Sequence, residues 1–173
     1  HSRDFDENCY PFLYEASHLC DFESFTDELC GHLGAAVSLL EGAAFDDIRA
    51  DLAQMQPLAF HANGSLRGRL AIGEEDIAWL KARLAHWRAQ PGGTVDHFVL
   101  PRGAQPVPFL HLGRSACKKA SRALVRVEAE GRSIPMEVPR LLNVVCNVLF
   151  TLTLVINRRR GLDEVPFESL SYG

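Results

Sequence analysis

Four polar side chains recur along one predicted helix at a spacing that could bind an anion. They occupy positions i, i+3, i+7 and i+11, namely His111, Arg114, Lys118 and Arg122. Residues at this spacing lie along one side of an α-helix. Three cations and an imidazole in a row would suit a polyphosphate, because guanidinium and ammonium groups both bind phosphate oxygens. A solvated helix face with a few acidic partners would give the same pattern, so both interpretations stay open.

A second polar stripe follows on the next predicted helix, which is otherwise apolar. Asn143, Asn147 and Thr151 recur every four residues. A buried amide without a partner costs about 1–3 kcal/mol. The stripe therefore predicts a partner, which is the polar face of the preceding helix, another subunit or a ligand. A hydrogen-bond network satisfied within the core is the alternative interpretation.

Composition excludes several classes of function. A formal net charge of -4 leaves no basic face for nucleic acid. The seven histidines and five cysteines form neither H-E-x-x-H nor C-x-x-C, so no metal site is predicted. An odd cysteine count in a chain of this length indicates free thiols and a cytoplasmic location. The charge-free segment 141–156 is shorter than the roughly 20 residues that span a bilayer, so we expect no membrane association.

The helices that must position these stripes are predicted from apolar periodicity at three and four residues. They cover approximately 22–40, 45–60, 74–89, 107–127 and 138–158. Ser24 with Asp27 resembles a capping box for the first helix, and a short helix is expected over 12–18. The apolar face of the fourth helix is assigned to Phe109, Leu112, Ala116, Ala120 and Leu124. We therefore predict an all-α, five-helix bundle over 22–160, with an N-terminal arm over 1–21 and a tail over 161–173.

Several segments match a known family in the same order and spacing. They are T-D-E-L at 26–29, L-G at 33–34, F-V-L-P-x-G at 98–103, L-H-x-x-R-x-x-C-K-K-A-x-R at 110–122, L-N at 142–143 and L-F at 149–150. Together they resemble the ATP:cob(I)alamin adenosyltransferases of the propanediol-utilisation type. The resemblance implies a homotrimer of five-helix bundles with sites at the subunit interfaces. Such enzymes transfer the 5′-deoxyadenosyl group of ATP to reduced cobalamin and release triphosphate.

The resemblance also implies roles for individual residues. Asp27 and Arg114 match an aspartate and an arginine that pair across the subunit interface. Phe98 matches an aromatic residue that keeps the lower face of the corrin free of an axial ligand, which makes the cobalt easier to reduce to the cob(I) nucleophile. Lys118 stands where the family has an arginine on the phosphates, and Asn143 matches an asparagine of the last helix.

The polar stripes add three residues to the predicted ligand-binding set, which are His111, Arg122 and Asn147. The predicted ligand is a corrinoid. The residues do not determine whether Mg²⁺ is required.

The chain departs from the family pattern at positions that carry charge. The family's R-R-A-E-R is K-K-A-S-R at 118–122, and its L-N-R-L-S-D is L-N-V-V-C-N at 142–147. Lysine in place of arginine loses bidentate phosphate contacts. The family's N-terminal ATP loop, T-G-D-x-G-x-T, is not found in residues 1–31, where Gly31 is the only glycine. Glycine in such a loop lets backbone amides approach phosphates closely.

Three functions are consistent with this pattern. The first is a diverged family member that binds a corrinoid, whose ATP site is incomplete and whose adenosyl transfer is weak or lost. The second is an active adenosyltransferase that holds ATP by another route. The third is a structural or partner-binding trimer without a small-molecule ligand.

Overall fold

The computed structural model describes Ser2 and residues 4–171. Within them it contains five α-helices and no strand longer than an isolated bridge. The helices are α1 (His18–Leu39), α2 (Asp46–Gly64), α3 (Glu74–Arg88), α4 (Val107–Ala129) and α5 (Glu137–Arg159). Short 3-10 helices cover Phe5–Glu7 and Ala43–Phe45. The predicted all-helical fold with five helices is confirmed.

The bundle is organised around the antiparallel packing of α1 on α4. At one end, the His18 amide donates to Glu130 Oε1 at 2.8 Å. Toward the other end, a Cβ at Gly113 would lie 3.6 Å from Leu29, so the two helices approach closely there. Helix α2 packs on α1, and α5 packs on both α3 and α4. The predicted apolar stripes supply most of the buried surface between these helices, which stabilises the bundle through the hydrophobic effect.

The start of α1 corrects two predictions. Ser17 is the N-cap residue, because its Oγ accepts a hydrogen bond from the Leu19 amide at 3.1 Å. Ser24 lies inside the helix, where its Oγ donates to the Cys20 carbonyl at 2.9 Å instead of capping. Residues 11–14 form turns and not the predicted short helix over 12–18.

Helix α2 is longer than predicted. It continues through Pro57 and ends at Gly64, so the turn expected at 63–64 falls on residues 65–67. Just beyond it, Arg67 holds the N-terminal arm against α1. Its Nη1 donates to Glu15 Oε2 at 2.9 Å, its Nη2 donates to Glu23 Oε2 at 3.1 Å, and its guanidinium lies 3.7 Å from the centre of the Phe12 ring.

Helix α5 is predominantly apolar and largely buried. It is long and apolar enough to cross a membrane by length and composition, but 61% of its most apolar 18-residue stretch is buried inside the protein. Packing against α3 and α4 accounts for that apolar character, as predicted for a core helix.

A buried carboxylate joins α2 to α3. Asp51 Oδ2 accepts hydrogen bonds from Trp87 Nε1 at 2.7 Å and from Arg83 Nε at 2.6 Å. We expect Asp51→Ala to lower the free energy of unfolding by about 2 kcal/mol, because the fully buried Trp87 N–H would lose its acceptor. Urea denaturation measures this loss, and the exposed Glu128→Ala is the control, expected within about 0.5 kcal/mol of wild type. Equal effects of both substitutions would contradict the prediction.

Candidate functional site

The link between α3 and α4 carries Phe98 across one end of the bundle. Phe98 is 72% exposed. The link is extended, as predicted, and it pairs with residues of the C-terminal tail: the Leu100 amide donates to the Val165 carbonyl, and the Phe167 amide donates to the Phe98 carbonyl, both at 2.8 Å. This pairing between distant segments was not predicted. The tail therefore forms one side of the region around Phe98.

Two clefts open on either side of this link, and both are lined by Val99 and Arg114. The first, which we call the His111 cleft, has a volume of about 490 Å³ and is lined also by Pro101, Pro108, His111, Leu112, Ser115 and Lys118. The second, which we call the Phe98 cleft, has a volume of about 420 Å³ and is lined also by Val95, Asp96, His97, Phe98 and Phe150. Leu112 is 48% exposed, so its predicted place on the apolar face of α4 is wrong.

Arg114 connects the two clefts. Its Nη1 donates to His111 Nδ1 at 3.0 Å, and its guanidinium lies 4.4 Å from the centre of the Phe150 ring. That distance is typical of a cation–π contact. The Arg114 Nε is buried and has no hydrogen-bond partner among the described residues. Phe150 comes from α5, so the site is built from two neighbouring helices and the link.

His111 presents a second N–H group without a partner. Because arginine is always a donor, His111 Nδ1 must accept, and the proton of the neutral ring is therefore on Nε2. His111 is only 8% exposed, and its Nε2 has no partner in the described part of the chain. An oxygen acceptor of a ligand in the His111 cleft would satisfy this donor.

The environment of His111 makes the protein sensitive to acid. Burial and the nearby Arg114 charge lower the pKa of His111 from 6.5 to about 4. Between these values the unfolded chain binds more protons than the folded one, so stability falls as the pH drops from 6.5 toward 4. We expect His111 to contribute a loss of about 2 kcal/mol by pH 5.

Urea denaturation of wild type and His111→Gln at pH 7 and pH 5 measures this contribution. The substitution is expected to reduce the loss of stability on acidification. His61→Gln, at an exposed histidine of α2, serves as the control and is expected to leave that loss unchanged. If His111→Gln and wild type lose the same stability, the neutral state assigned to His111 is wrong.

The remaining cations of the α4 stripe line a third cleft. It has a volume of about 380 Å³ and lies between α1 and α4, lined by Asp21, Phe25, Lys118, Lys119, Arg122, Ala123 and Arg126. Lys119 forms an ion pair with Glu28 of α1. Lys118 and Arg122 are exposed and form no ion pair with the described residues. We call this the cation cleft, and its charge suits an anionic group.

The asparagine stripe of α5 faces outward. Asn143 and Asn147 are exposed and make no hydrogen bond to the residues that the structure describes. Thr151, one turn further, is buried. The interpretation that Asn143 and Asn147 belong to a hydrogen-bond network within the core is therefore wrong. The face of α5 that carries them is exposed and does not pack against α4. The surface that they occupy is free to meet a ligand or another subunit.

Asp27 is exposed on α1 and forms no ion pair within the described part of its own chain. The structure thus brings together Phe98, His111 and Arg114. Lys118 lines both the His111 cleft and the cation cleft, and Arg122 lines the cation cleft alone. Asp27, Asn143 and Asn147 lie on open surface. Sequence reasoning missed the packing of Phe150 on Arg114, although the L-F pair at 149–150 marked the position.

Comparisons with known proteins found relatives that match most of the chain. The sequence model of the family described as cobalamin adenosyltransferase matches residues 16–156. A cobalamin adenosyltransferase from Cupriavidus metallidurans is 34% identical over 145 residues, and a corrinoid adenosyltransferase from Bacillus subtilis is 29% identical over 148 residues. Each match covers 82% of this chain and 76% of the relative.

Solved structures share the fold. A phenylalanine-to-alanine variant of the PduO-type ATP:corrinoid adenosyltransferase from Lactobacillus reuteri, complexed with cobalamin and ATP, has a TM-score of 0.80 at 21% identity. That match covers 91% of this chain and 90% of the other. An arginine-to-lysine variant from the same organism, complexed with ATP, has a TM-score of 0.79 at 22% identity and covers 90% of both chains.

Proposed function

The chain belongs to the cobalamin adenosyltransferase family, and from this premise we propose that it binds a corrinoid at the Phe98 and His111 clefts. We propose further that it does so as a homotrimer and that its adenosyl transfer from ATP is weak or lost. The observation that carries the proposal is the group formed by Phe98, Arg114 and His111. It combines an exposed aromatic ring with two N–H donors that have no partner among the described residues.

This group suits the chemistry of a corrinoid. The corrin ring has broad apolar faces and a rim of amide side chains. Phe98 is available to contact a face, because most of its ring is exposed. The N–H groups of His111 Nε2 and Arg114 Nε are available to donate to amide oxygens, which would remove the cost of leaving them unpaired.

In the proposed complex, Phe98 crowds the lower face of the corrin and displaces the axial ligand from cobalt. An external one-electron reductant would then reduce the four-coordinate cobalt to cob(I)alamin more easily. In the transfer step, cob(I)alamin attacks the 5′ carbon of ATP, a cobalt–carbon bond forms, and the bond from that carbon to oxygen breaks as triphosphate leaves. The cation cleft shares Lys118 with the His111 cleft, and it could hold the triphosphate through Lys118 and Arg122.

The trimer is proposed because neither Asp27 nor Arg114 has an ionic partner of opposite charge among the described residues of its own chain. Each would gain one across an interface, as the family resemblance implies. Asn143 and Asn147 would supply polar contacts on the same kind of surface. A charge pair removed from water at an interface fixes the register of the subunits.

Weak transfer is proposed because this chain has fewer charged side chains than the family pattern at the positions implied to surround the phosphates. Lys118 offers a point charge where the pattern has the planar fork of arginine. Ser121, Val144 and Asn147 are neutral where the pattern has glutamate, arginine and aspartate. The active-enzyme alternative is favoured by the exposure of Lys118 and Arg122. Neither forms an ion pair with a residue that the structure describes, so both are available to bind phosphate.

The test is a pair of absorbance experiments. Titration of the protein into cob(II)alamin, with ATP present, should change the visible spectrum of the corrinoid if the binding proposal is right. A time course with cob(I)alamin and ATP then measures formation of adenosylcobalamin, with an active relative as positive control. No spectral change would overturn corrinoid binding, and turnover at the rate of the relative would replace weak transfer with the active-enzyme alternative.

We expect Lys118→Arg to increase ATP affinity about tenfold, because a guanidinium binds two phosphate oxygens at once. The matched control is Lys81→Arg, since Lys81 is an exposed lysine of α3 that lines none of the three clefts. Calorimetric titration with ATP measures both. Equal affinities of the two variants and of wild type would place the triphosphate elsewhere.

A further inference from the structure

We propose that Cys117 of α4 and Cys146 of α5 form a reversible disulfide on oxidation, and that this cross-link weakens binding at the proposed corrinoid site. Both side chains are free thiols in the structure. Neither lines the His111 cleft, the Phe98 cleft or the cation cleft. The cross-link follows from how α4 packs on α5, whereas its effect on the ligand rests on the proposed function.

Two contacts fix the register of α4 against α5 around these cysteines. A Cβ at Gly113 would lie 3.1 Å from Leu149 Cδ1, and Cys146 Sγ donates to the Arg114 carbonyl at 3.7 Å. The higher residue number on α4 meets the lower one on α5, as expected of antiparallel helices. One turn beyond Gly113 is Cys117, and about one turn before Leu149 is Cys146. The two thiols therefore lie opposite each other where the helices pack.

Small side chains on α4 let the two helices approach closely at this level. A disulfide needs Cα atoms about 4.4–6.8 Å apart, and the distance between packed helices depends on the size of the side chains at the contact. Ala116 and Ala120 flank Cys117, and all three are at most 1% exposed. Burial raises the pKa of the Cys117 thiol well above its usual value, and the proximity of Cys146 raises it further.

Cys146 gives an oxidant access to the pair, because it is only partly buried whereas Cys117 is buried. Hydrogen peroxide oxidises the Cys146 thiol, reacting as its thiolate, to a sulfenic acid and releases one water. The Cys117 thiol then attacks that sulfur, the sulfur–oxygen bond breaks, and a second water leaves as the disulfide forms. The two thiols give up two hydrogen atoms and one peroxide becomes two waters. A dithiol reductant reverses the reaction by exchange.

The cross-link lies one helical turn from the contact between Arg114 and Phe150. Arg114 precedes Cys117 on α4, and Phe150 follows Cys146 on α5. The Arg114 guanidinium is 4.4 Å from the centre of the Phe150 ring. Oxidation removes the S–H group that donates to the Arg114 carbonyl and ties the two helices together beside it. The guanidinium and the ring are therefore expected to shift, which weakens ligand binding because the groups of the site lose their alignment.

The first measurement tests the cross-link without any ligand. Full-length protein is treated with hydrogen peroxide, and its mass and its peptides are analysed without reductant. We expect a loss of two hydrogen masses, reversed by dithiothreitol, in a linked pair of peptides that contain Cys117 and Cys146. Cys146→Ser and Cys146→Ala should both abolish the linked pair, whereas Cys9→Ser, at an exposed cysteine of the N-terminal arm, is the matched control and should retain it. Oxygen atoms added to Cys146 without a cross-link would overturn the proposal.

The second measurement tests the effect on the ligand site. After removal of peroxide, reduced and oxidised proteins are titrated with cob(II)alamin in the presence of ATP, and binding is followed by visible absorbance. We expect oxidation to weaken binding about tenfold in wild type and in Cys9→Ser, and to leave Cys146→Ser unchanged. Dithiothreitol should restore wild-type affinity.

Two results separate the cross-link from the proposed function. Equal affinities of reduced and cross-linked wild type would overturn the regulation of the site by oxidation. Failure of reduced wild type to bind cob(II)alamin would instead overturn the proposed function, and the cross-link would then be decided by the mass measurement alone.

Discussion

Reversing the charge of Arg114 with Arg114→Asp is expected to dissociate the proposed trimer into monomers and to abolish corrinoid binding. The carboxylate would face Asp27 of the neighbouring subunit across the interface, and breaking a desolvated ion pair in this way costs about 3–5 kcal/mol. Asp27→Arg alone should have the same effect. The two substitutions together should restore the trimer, because the pair would be re-formed with its charges exchanged.

Sedimentation velocity measures the assembly, and absorbance titration with cob(II)alamin measures binding. The double variant should recover assembly more fully than binding, since Arg114 also contacts His111 and Phe150 within its own chain. Glu41→Arg, an exposed charge reversal just beyond the end of α1, is the control and should leave the trimer intact. A double variant that assembles no better than either single one would show that Asp27 and Arg114 do not pair.

Replacing Phe98 with alanine is expected to reduce the four-coordinate fraction of bound cob(II)alamin, and any adenosyl transfer, about hundredfold. The substitution removes the ring proposed to crowd the lower face, and truncating a central aromatic anchor typically costs at least about 2 kcal/mol. Total corrinoid affinity should fall less, because the donors at His111 and Arg114 remain. The visible spectrum and the initial rate with cob(I)alamin and ATP measure the two effects.

Two matched variants make this result specific. Phe98→Tyr keeps the ring and is expected to behave nearly as wild type. Phe5→Ala removes an aromatic ring that is 91% exposed at a distant place in the chain and should change nothing. If Phe98→Ala retains both the four-coordinate spectrum and the rate, the role assigned to Phe98 is wrong.

The number, type and approximate bounds of the helices could be predicted from the sequence, because apolar periodicity is a local property. The buried faces of α1, α2 and α3 follow the predicted stripes. The N-cap residue of α1 could not be predicted from apolar periodicity, since Ser17 and Ser24 have the same side chain. The structure places Ser17, and not Ser24, directly before the first turn of α1. The Ser17 hydroxyl also donates a hydrogen bond to Glu130 of α4, which fixes its position.

The sequence by itself determined the family, the helical fold and the residues that could form a site. Only the tertiary structure decided how they meet. It turns Asn143 and Asn147 outward, divides the α4 stripe between two clefts, and brings Phe150 onto Arg114. Helical spacing defines a face but not the neighbour against which that face packs, which depends on the rotation of each helix in the bundle. The pairing of 98–100 with 165–167 has the same origin, because backbone hydrogen bonds between distant segments leave no local pattern in the sequence.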